Sequence, residues 1–143
     1  MVSDYNISDD KEKMDLQVIH SVISKSYWAM NIPIEVMERA IKNSECFGVF
    51  THEGDQVGFA RVITDYATYA YLADVFIVEK HQGKGLSKWL IHEISNSPKL
   101  QGLRRITLAT RDAHGLYAQF GFTPLNQPEI FMEKWNPNVY IKI

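Results

Sequence analysis

The sequence holds one cysteine, Cys46, so no disulfide can form within the chain and the fold must rest on a packed core. Cys46 sits in Cys-Phe-Gly-Val-Phe, with no adjacent base or cation to lower its pKa, and reads as a small buried hydrophobe before a catalytic thiol. An excess of one charge is missing too. Lys and Arg number 15 against 17 Asp and Glu, and the formal net charge of −2 offers no electrostatic footprint for nucleic acid. No apolar run reaches the length of a membrane span. The first ten residues lack both the basic start and the apolar stretch of a signal peptide, so the expected location is cytoplasmic and no membrane partner is expected. HxxxH, CxxC and clustered-carboxylate patterns are absent, so no metal is expected. Nor are there repeats, linkers or low-complexity segments. What remains is a chain of 143 residues, 45% apolar and 22% charged, which suits one domain over residues 1–143 with a proper core.

Periodicity orders that domain. Residues 2–7 suit a short strand, and Asp9 with Glu12 forms a capping pair that opens a helix. Leu16, Ile19, Val22, Ile23 and Tyr27 recur at three- and four-residue steps, giving one apolar face. Asn31-Ile32-Pro33 breaks it, and a second helix starts at Pro33 and runs through Val36, Met37, Ala40 and Ile41. Residues 46–51 and 57–64 read as a hairpin around Glu53-Gly54-Asp55, and residues 69–78 as the next strand. A helix from Leu86 stops before Pro98, and residues 105–109 form a short buried strand. A further helix and strands near Phe122 and over residues 131–135 complete the alternation. The pattern implies an α/β or α+β sandwich around a mixed sheet.

The most informative segment lies where Val75, Phe76, Ile77 and Val78 run into His81-Gln82-Gly83-Lys84-Gly85-Leu86-Ser87-Lys88, after which Trp89, Leu90, Ile91 and Ile94 begin a helix. A glycine turn at a helix N-terminus presents backbone N–H groups outward, and the helix dipole adds favourable potential for an anion. A nucleotide-hydrolase P-loop would need Gly-Lys-Ser/Thr, but here Lys84 precedes Gly85 and Leu86 precedes Ser87. A dinucleotide fingerprint would need a third glycine where Lys88 stands. Gln82 to Ser87 instead resembles the Q/R-x-x-G-x-G/A pyrophosphate loop of the GNAT N-acetyltransferase superfamily, with Ser87 in place of Gly or Ala. Leu116-Tyr117-Ala118-Gln119-Phe120-Gly121-Phe122 resembles the same family's LYxxxGF segment, in the family's order and separation. The resemblance covers residues 57–122.

The resemblance implies an α/β (α+β) fold with a mixed, mostly antiparallel central sheet flanked by helices, whose splayed strands form an acyl-CoA cleft. It implies acetyl-CoA as co-substrate. Main-chain groups of Val75, Phe76 and Ile77 would meet the pantetheine arm, and amides of Gln82, Gly83, Lys84, Gly85, Leu86, Ser87 and Lys88 would hold the pyrophosphate. The Lys84 and Lys88 side chains suit phosphate contact, although a solvated helix start would tolerate them equally. Where the family commonly has a coenzyme-contacting Asn this chain has Thr110, whose hydroxyl donates and accepts but reaches less far. Tyr117 matches the tyrosine that protonates the leaving thiolate, its alternative being a packed aromatic beside Leu116 and Phe120.

A general base is needed as well, because the acceptor amine arrives protonated. Asp74 is the candidate, since an acid inside an apolar strand must be partnered or useful, and its other reading is a pairing with Arg61 or another donor. His114 and His81 are the remaining titratable candidates. Tyr27 and Trp28 offer aromatics for an acceptor pocket or for the core, and Arg61, Tyr66 and Tyr69 could add polar contacts. The expected reaction moves an acetyl group to a primary amine, by direct attack in a ternary complex. The acceptor is a small-molecule amine or a protein amino group, with a homodimer allowed. The competing readings are a non-catalytic acyl-CoA-binding sensor and an unrelated nucleotide-binding domain.

Overall fold

Asp15, not the Asp9–Glu12 pair, opens the first helix: its carboxylate accepts from the N–H groups of Gln17 and Val18 at 3.1 and 3.2 Å, covering two orphan donors of the first turn. Asp10 caps only a single 3-10 turn at Lys11–Lys13. The computed structural model describes residues 2–141. Its elements run β1 (Tyr5–Ser8), α1 (Leu16–Ile23), α2 (Ile34–Lys42), β2 (Glu45–Thr51), β3 (Gln56–Thr64), β4 (Tyr69–Ile77), α3 (Leu86–Ser95), β5 (Arg105–Leu108) and α4 (His114–Ala118). Helix α1 ends at Ile23, before the apolar face read from sequence does, and Tyr27 lies in the turns that lead to Pro33.

One five-stranded sheet takes the order β1-β2-β3-β4-β5, antiparallel except for the β4–β5 pair. Both faces are covered. On one, Leu86, Leu90, Ile91 and Ile94 of α3 pack on Phe47, Val49, Val62 and Leu72. On the other, Ile19 and Ile23 of α1 with Met37 and Ile41 of α2 pack on Cys46, Phe59 and Phe76. A strand covered on both faces reads as a nearly continuous apolar run, which is why β2 shows so little alternation.

The strands expected near Phe122 and over residues 131–135 do not form. A 3-10 turn at Pro128–Ile130 stands there, followed by irregular chain. Pro124, Pro128 and Pro137 each lack the N–H that a ladder requires, and Met132 and Trp135 stay 97% and 73% exposed.

Candidate active site

Strands β4 and β5 pair over four positions, from Tyr69↔Arg105 to Leu72↔Leu108, and there the ladder stops. β5 ends at Leu108 while β4 continues to Ile77, so main-chain groups of residues 73–77 have no β5 partner. The stretch includes Val75, Phe76 and Ile77. Backbone groups taken from water need partners, so the parted strands offer a template for an extended, amide-bearing molecule.

The glycine turn lies beyond the end of β4. Gly83 and Gly85 both have positive φ, +80° and +82°, and a Cβ built on either meets nothing within 4 Å. Gly85 is the N-cap of α3, with no side-chain cap, so no capping side chain takes up the first-turn N–H groups of the helix. Lys84 and Lys88 are exposed beside them. Gln82 faces the other way: its side-chain amide donates to Ile77 O at 2.9 Å and its N–H donates to Glu79 O at 3.2 Å, which ties the turn to the strand end. His81 is held similarly, Nδ1 lying 2.7 Å from the Tyr5 hydroxyl.

Asp74 occupies a β-bulge. Between Phe59↔Phe76 and Arg61↔Ala73 the chain takes two steps on β3 and three on β4, and Asp74 takes φ +55°. Asp tolerates the left-handed region better than most residues because its short polar side chain can bond locally. The extra residue also reverses the alternation of β4. Ala70 and Leu72 face α3, whereas after the bulge Phe76 faces α1 and α2. The Asp74 carboxylate accepts from Trp28 Nε1 at 2.8 Å on Oδ1 and from Arg61 Nε at 2.7 Å on Oδ2, while Arg61 also donates to Ser44 Oγ at 3.0 Å. The expected pairing with Arg61 therefore exists. Each carboxylate oxygen still has capacity to accept a further bond.

A cavity of about 550 Å³ lies at the parting of the strands, lined by Tyr27, Trp28, Asp74, Val75, Thr110 and Tyr117 among others. Tyr117, on α4, is buried and also lines a second cavity of about 350 Å³ that includes His114 and Thr110. Burial raises the Tyr117 phenol above its ordinary value, with Tyr27 and Asp112 adding to the effect. Its proton is therefore retained throughout the neutral range. Thr110 Oγ1 accepts from Ala113 N–H at 3.1 Å, which leaves its own proton free to donate.

The aromatics proposed for acceptor contact divide. Tyr66 donates to Glu45 at 2.9 Å, and Tyr69 bonds Thr107 at the closed end of the β4–β5 pair; neither lines the cavity. Tyr71 and Tyr140 line it and were not singled out by the sequence. Tyr71 carries no sequence signal, because a spacing of three on a regular strand puts it on the face opposite Asp74 and the bulge alone changes that. Tyr140 follows a run of exposed residues and carries none. Cys46 is fully buried, its thiol pushed up to about 11 by desolvation, which removes it as a nucleophile. Among the described residues no group of three or more His, Cys, Asp and Glu side chains could hold a metal ion, and no helix is long and apolar enough to cross a membrane.

Comparison with known proteins adds independent weight. Residues 43–124 match the model of a family described as an acetyltransferase (GNAT) domain. A protein of Gibberella zeae, named provisionally as an acetyltransferase, is 31% identical over 138 residues, covering 81% of this chain and 77% of its own length. A crystal structure from Xanthomonas campestris pv. campestris, described as a provisional acetyltransferase of the GNAT family, is 48% identical, with a TM-score of 0.95 over 99% of this chain and 100% of the other. N-acetylglutamate synthase from Neisseria gonorrhoeae, complexed with coenzyme A and N-acetyl-glutamate, shares the fold at 19% identity, with a TM-score of 0.69 over 87% of this chain and 30% of that one.

Proposed function

The chain belongs to the GNAT acetyltransferase family, and from that premise we propose that it transfers an acetyl group from acetyl-CoA to a primary amine by direct attack within a ternary complex. Membership assigns acyl transfer in general terms; the amine acceptor and the roles of the residues are the proposal. What supports it is the succession of three features along β4 and the turn that follows it. The start of α3 has no side-chain cap, the β4 edge at Val75 and Ile77 has no β5 partner, and the cavity at the parting of the strands holds both Asp74 and Tyr117.

Each residue then has a task. Amides of the glycine turn and of the first turn of α3, from Gly83 to Lys88, hold the pyrophosphate with the Lys84 and Lys88 side chains. Gln82 contributes by fixing the turn, since its own N–H is already engaged. Main-chain groups of Val75 and Ile77 bond the pantetheine arm, those of Phe76 being turned to β3 because successive strand residues bond to opposite sides, and a β4 N–H polarises the thioester carbonyl. Thr110 donates to the arm through its hydroxyl. The amine nitrogen attacks the carbonyl carbon, a new C–N bond forms, and the C–S bond breaks. Asp74 accepts the proton that the amine loses, using the lone pairs left free by Trp28 and Arg61. Tyr117 donates to the departing sulfur. Because its phenol holds its proton tightly, its part is first a hydrogen bond to the developing thiolate and then, late in bond breaking, the proton itself. No covalent enzyme intermediate is required.

The test is direct. Coenzyme A should raise the melting temperature where ATP and NAD do not, and thiol release from acetyl-CoA should depend on added amine. Coenzyme binding without amine-dependent release would favour the sensor reading, and a shift with ATP or NAD alone would sink both.

A further inference from the structure

The 550 Å³ cavity has a wall composition that selects among amines. Four aromatic side chains besides Tyr117 line it: Tyr27 and Trp28 from the turns after α1, Tyr71 from β4 and Tyr140 from the C-terminal segment. Tyr27 and Trp28 meet edge to face, with centroids 5.1 Å apart. The face of an aromatic ring carries negative potential and attracts cations. Tyr27 already shows this preference, with the guanidinium of Arg111 lying 3.8 Å from its ring centroid.

The charges around the cavity point the same way. Its lining carries two carboxylates, Asp74 and Asp112. Arg61 is the one cation that lines it among the described residues, and two of its five N–H donors are engaged, by Asp74 at 2.7 Å and Ser44 at 3.0 Å. That pair cancels. Asp112, exposed, has no ion-pair partner among the described residues. An acceptor bearing a carboxylate or phosphate would meet in the lining itself only a guanidinium already neutralised by Asp74, with Arg111 held on the Tyr27 ring outside the lining, and would lie beside an unpaired acid.

Resting on the acyl-transfer reading above, we infer that the acceptor is a primary amine with a second positive charge and no acidic group. The second charge sits against the faces of Trp28, Tyr71 and Tyr140, with Asp112 at the rim. The reacting nitrogen reaches Asp74. The charged end remains protonated while the other end loses its proton and attacks, so the cavity separates two chemically similar groups by position. Tyr140 is then a specificity residue: it lines this cavity and also packs against the core beneath α1 and α2, so the last described turn of the chain closes the acceptor side.

The experiment uses the purified full chain, acetyl-CoA and three acceptors of equal length: a four-carbon diamine, the matching amino acid with a carboxylate at the far end, and butylamine. The expected order of kcat/KM is diamine, butylamine, amino acid, with about tenfold or more between the extremes. Asp112→Asn and Tyr140→Ala should each raise KM for the diamine several-fold more than KM for butylamine, with the thermal shift with coenzyme A nearly unchanged, and Tyr140→Phe should restore the diamine. An amino acid turned over as well as the diamine would overturn the inference and leave the acyl-transfer reading intact. So would loss of amino-acid turnover in Arg111→Ala, because Arg111 would then be reading an acid. A thermal shift with coenzyme A but no release with any of the three would also overturn it. Absence of that shift would remove the acyl-transfer reading, and this inference with it.

Discussion

Replacing Gly85 separates backbone strain from ligand contact, because the chain carries its own control. Gly85 has φ +82° and Gly102, in the turn before β5, has φ +77°, and an added Cβ meets nothing within 4 Å at either. Alanine in the left-handed region costs about 1–2 kcal/mol whatever surrounds it. Both Gly85→Ala and Gly102→Ala should therefore lower Tm alike, by about 3–8 °C for a domain of this size. Affinity should separate them. At Gly85 the new methyl projects into the open space before α3, and displacing one charge-assisted N–H contact costs about 1.5–3 kcal/mol, roughly 10- to 100-fold in Kd for coenzyme A. Gly102→Ala has no such contact to lose. Gly85→Glu adds a negative charge at the same place and should abolish measurable binding. Titration calorimetry with coenzyme A on the three variants and the parent, each with its melting curve, measures both quantities. Equal Kd values for Gly85→Ala and Gly102→Ala would refute the assignment of the pyrophosphate to this turn.

Tyr117→Phe should lower kcat by about 10- to 100-fold with coenzyme affinity nearly unchanged. Unchanged turnover would remove the phenol from the chemistry. Since burial raises the Tyr117 pKa, activity that depends on its proton should hold through neutral pH and fall only on the alkaline side of the ordinary tyrosine value; a pH–rate profile that falls earlier would point to another group. Asp74→Asn should reduce kcat/KM for the amine and also lower Tm, because the largely buried Arg61 guanidinium loses its charged partner, a change of about 3 kcal/mol for buried pairs. Wild-type kcat/KM in that variant would exclude Asp74 as proton acceptor. Cys46 is held protonated in the fold, from an ordinary 9.0 up to about 11, while the unfolded chain ionises near 9. Its contribution is thus complete below pH 9 and lost as pH rises towards 11, about 2–3 kcal/mol in all. Urea unfolding should show a flatter pH dependence over that window for Cys46→Ala than for the parent, and identical slopes would contradict the burial argument.

Features that depend on neighbours in sequence are legible in the chain alone. The glycines at 83 and 85, the apolar face of α3 and the hairpin around Gly54 announce themselves locally, because a turn needing positive φ and a helix needing one apolar stripe leave marks within ten residues. The same local logic fails at Asp9 and over residues 131–135. At the first the Asp15 carboxylate takes the capping role, and before the second a 3-10 turn at Pro128–Ile130 leads into irregular chain with Met132 and Trp135 exposed.

The sequence by itself determined the alternation of elements, the glycine turn before α3 and the tyrosine four residues before Gly121. Tertiary structure alone decided what Asp74 bonds. Its partners, Trp28 and Arg61, lie 46 and 13 residues away, and the bulge that turns it towards them shows in the mismatch between two paired strands, which neither strand displays alone. It alone also decided that Tyr71 and Tyr140 share a cavity with Tyr27 and Trp28. The reason is physical: a pattern of period two or 3.6 states which face a side chain takes, whereas the opposing wall of a cleft is set by how separate elements pack.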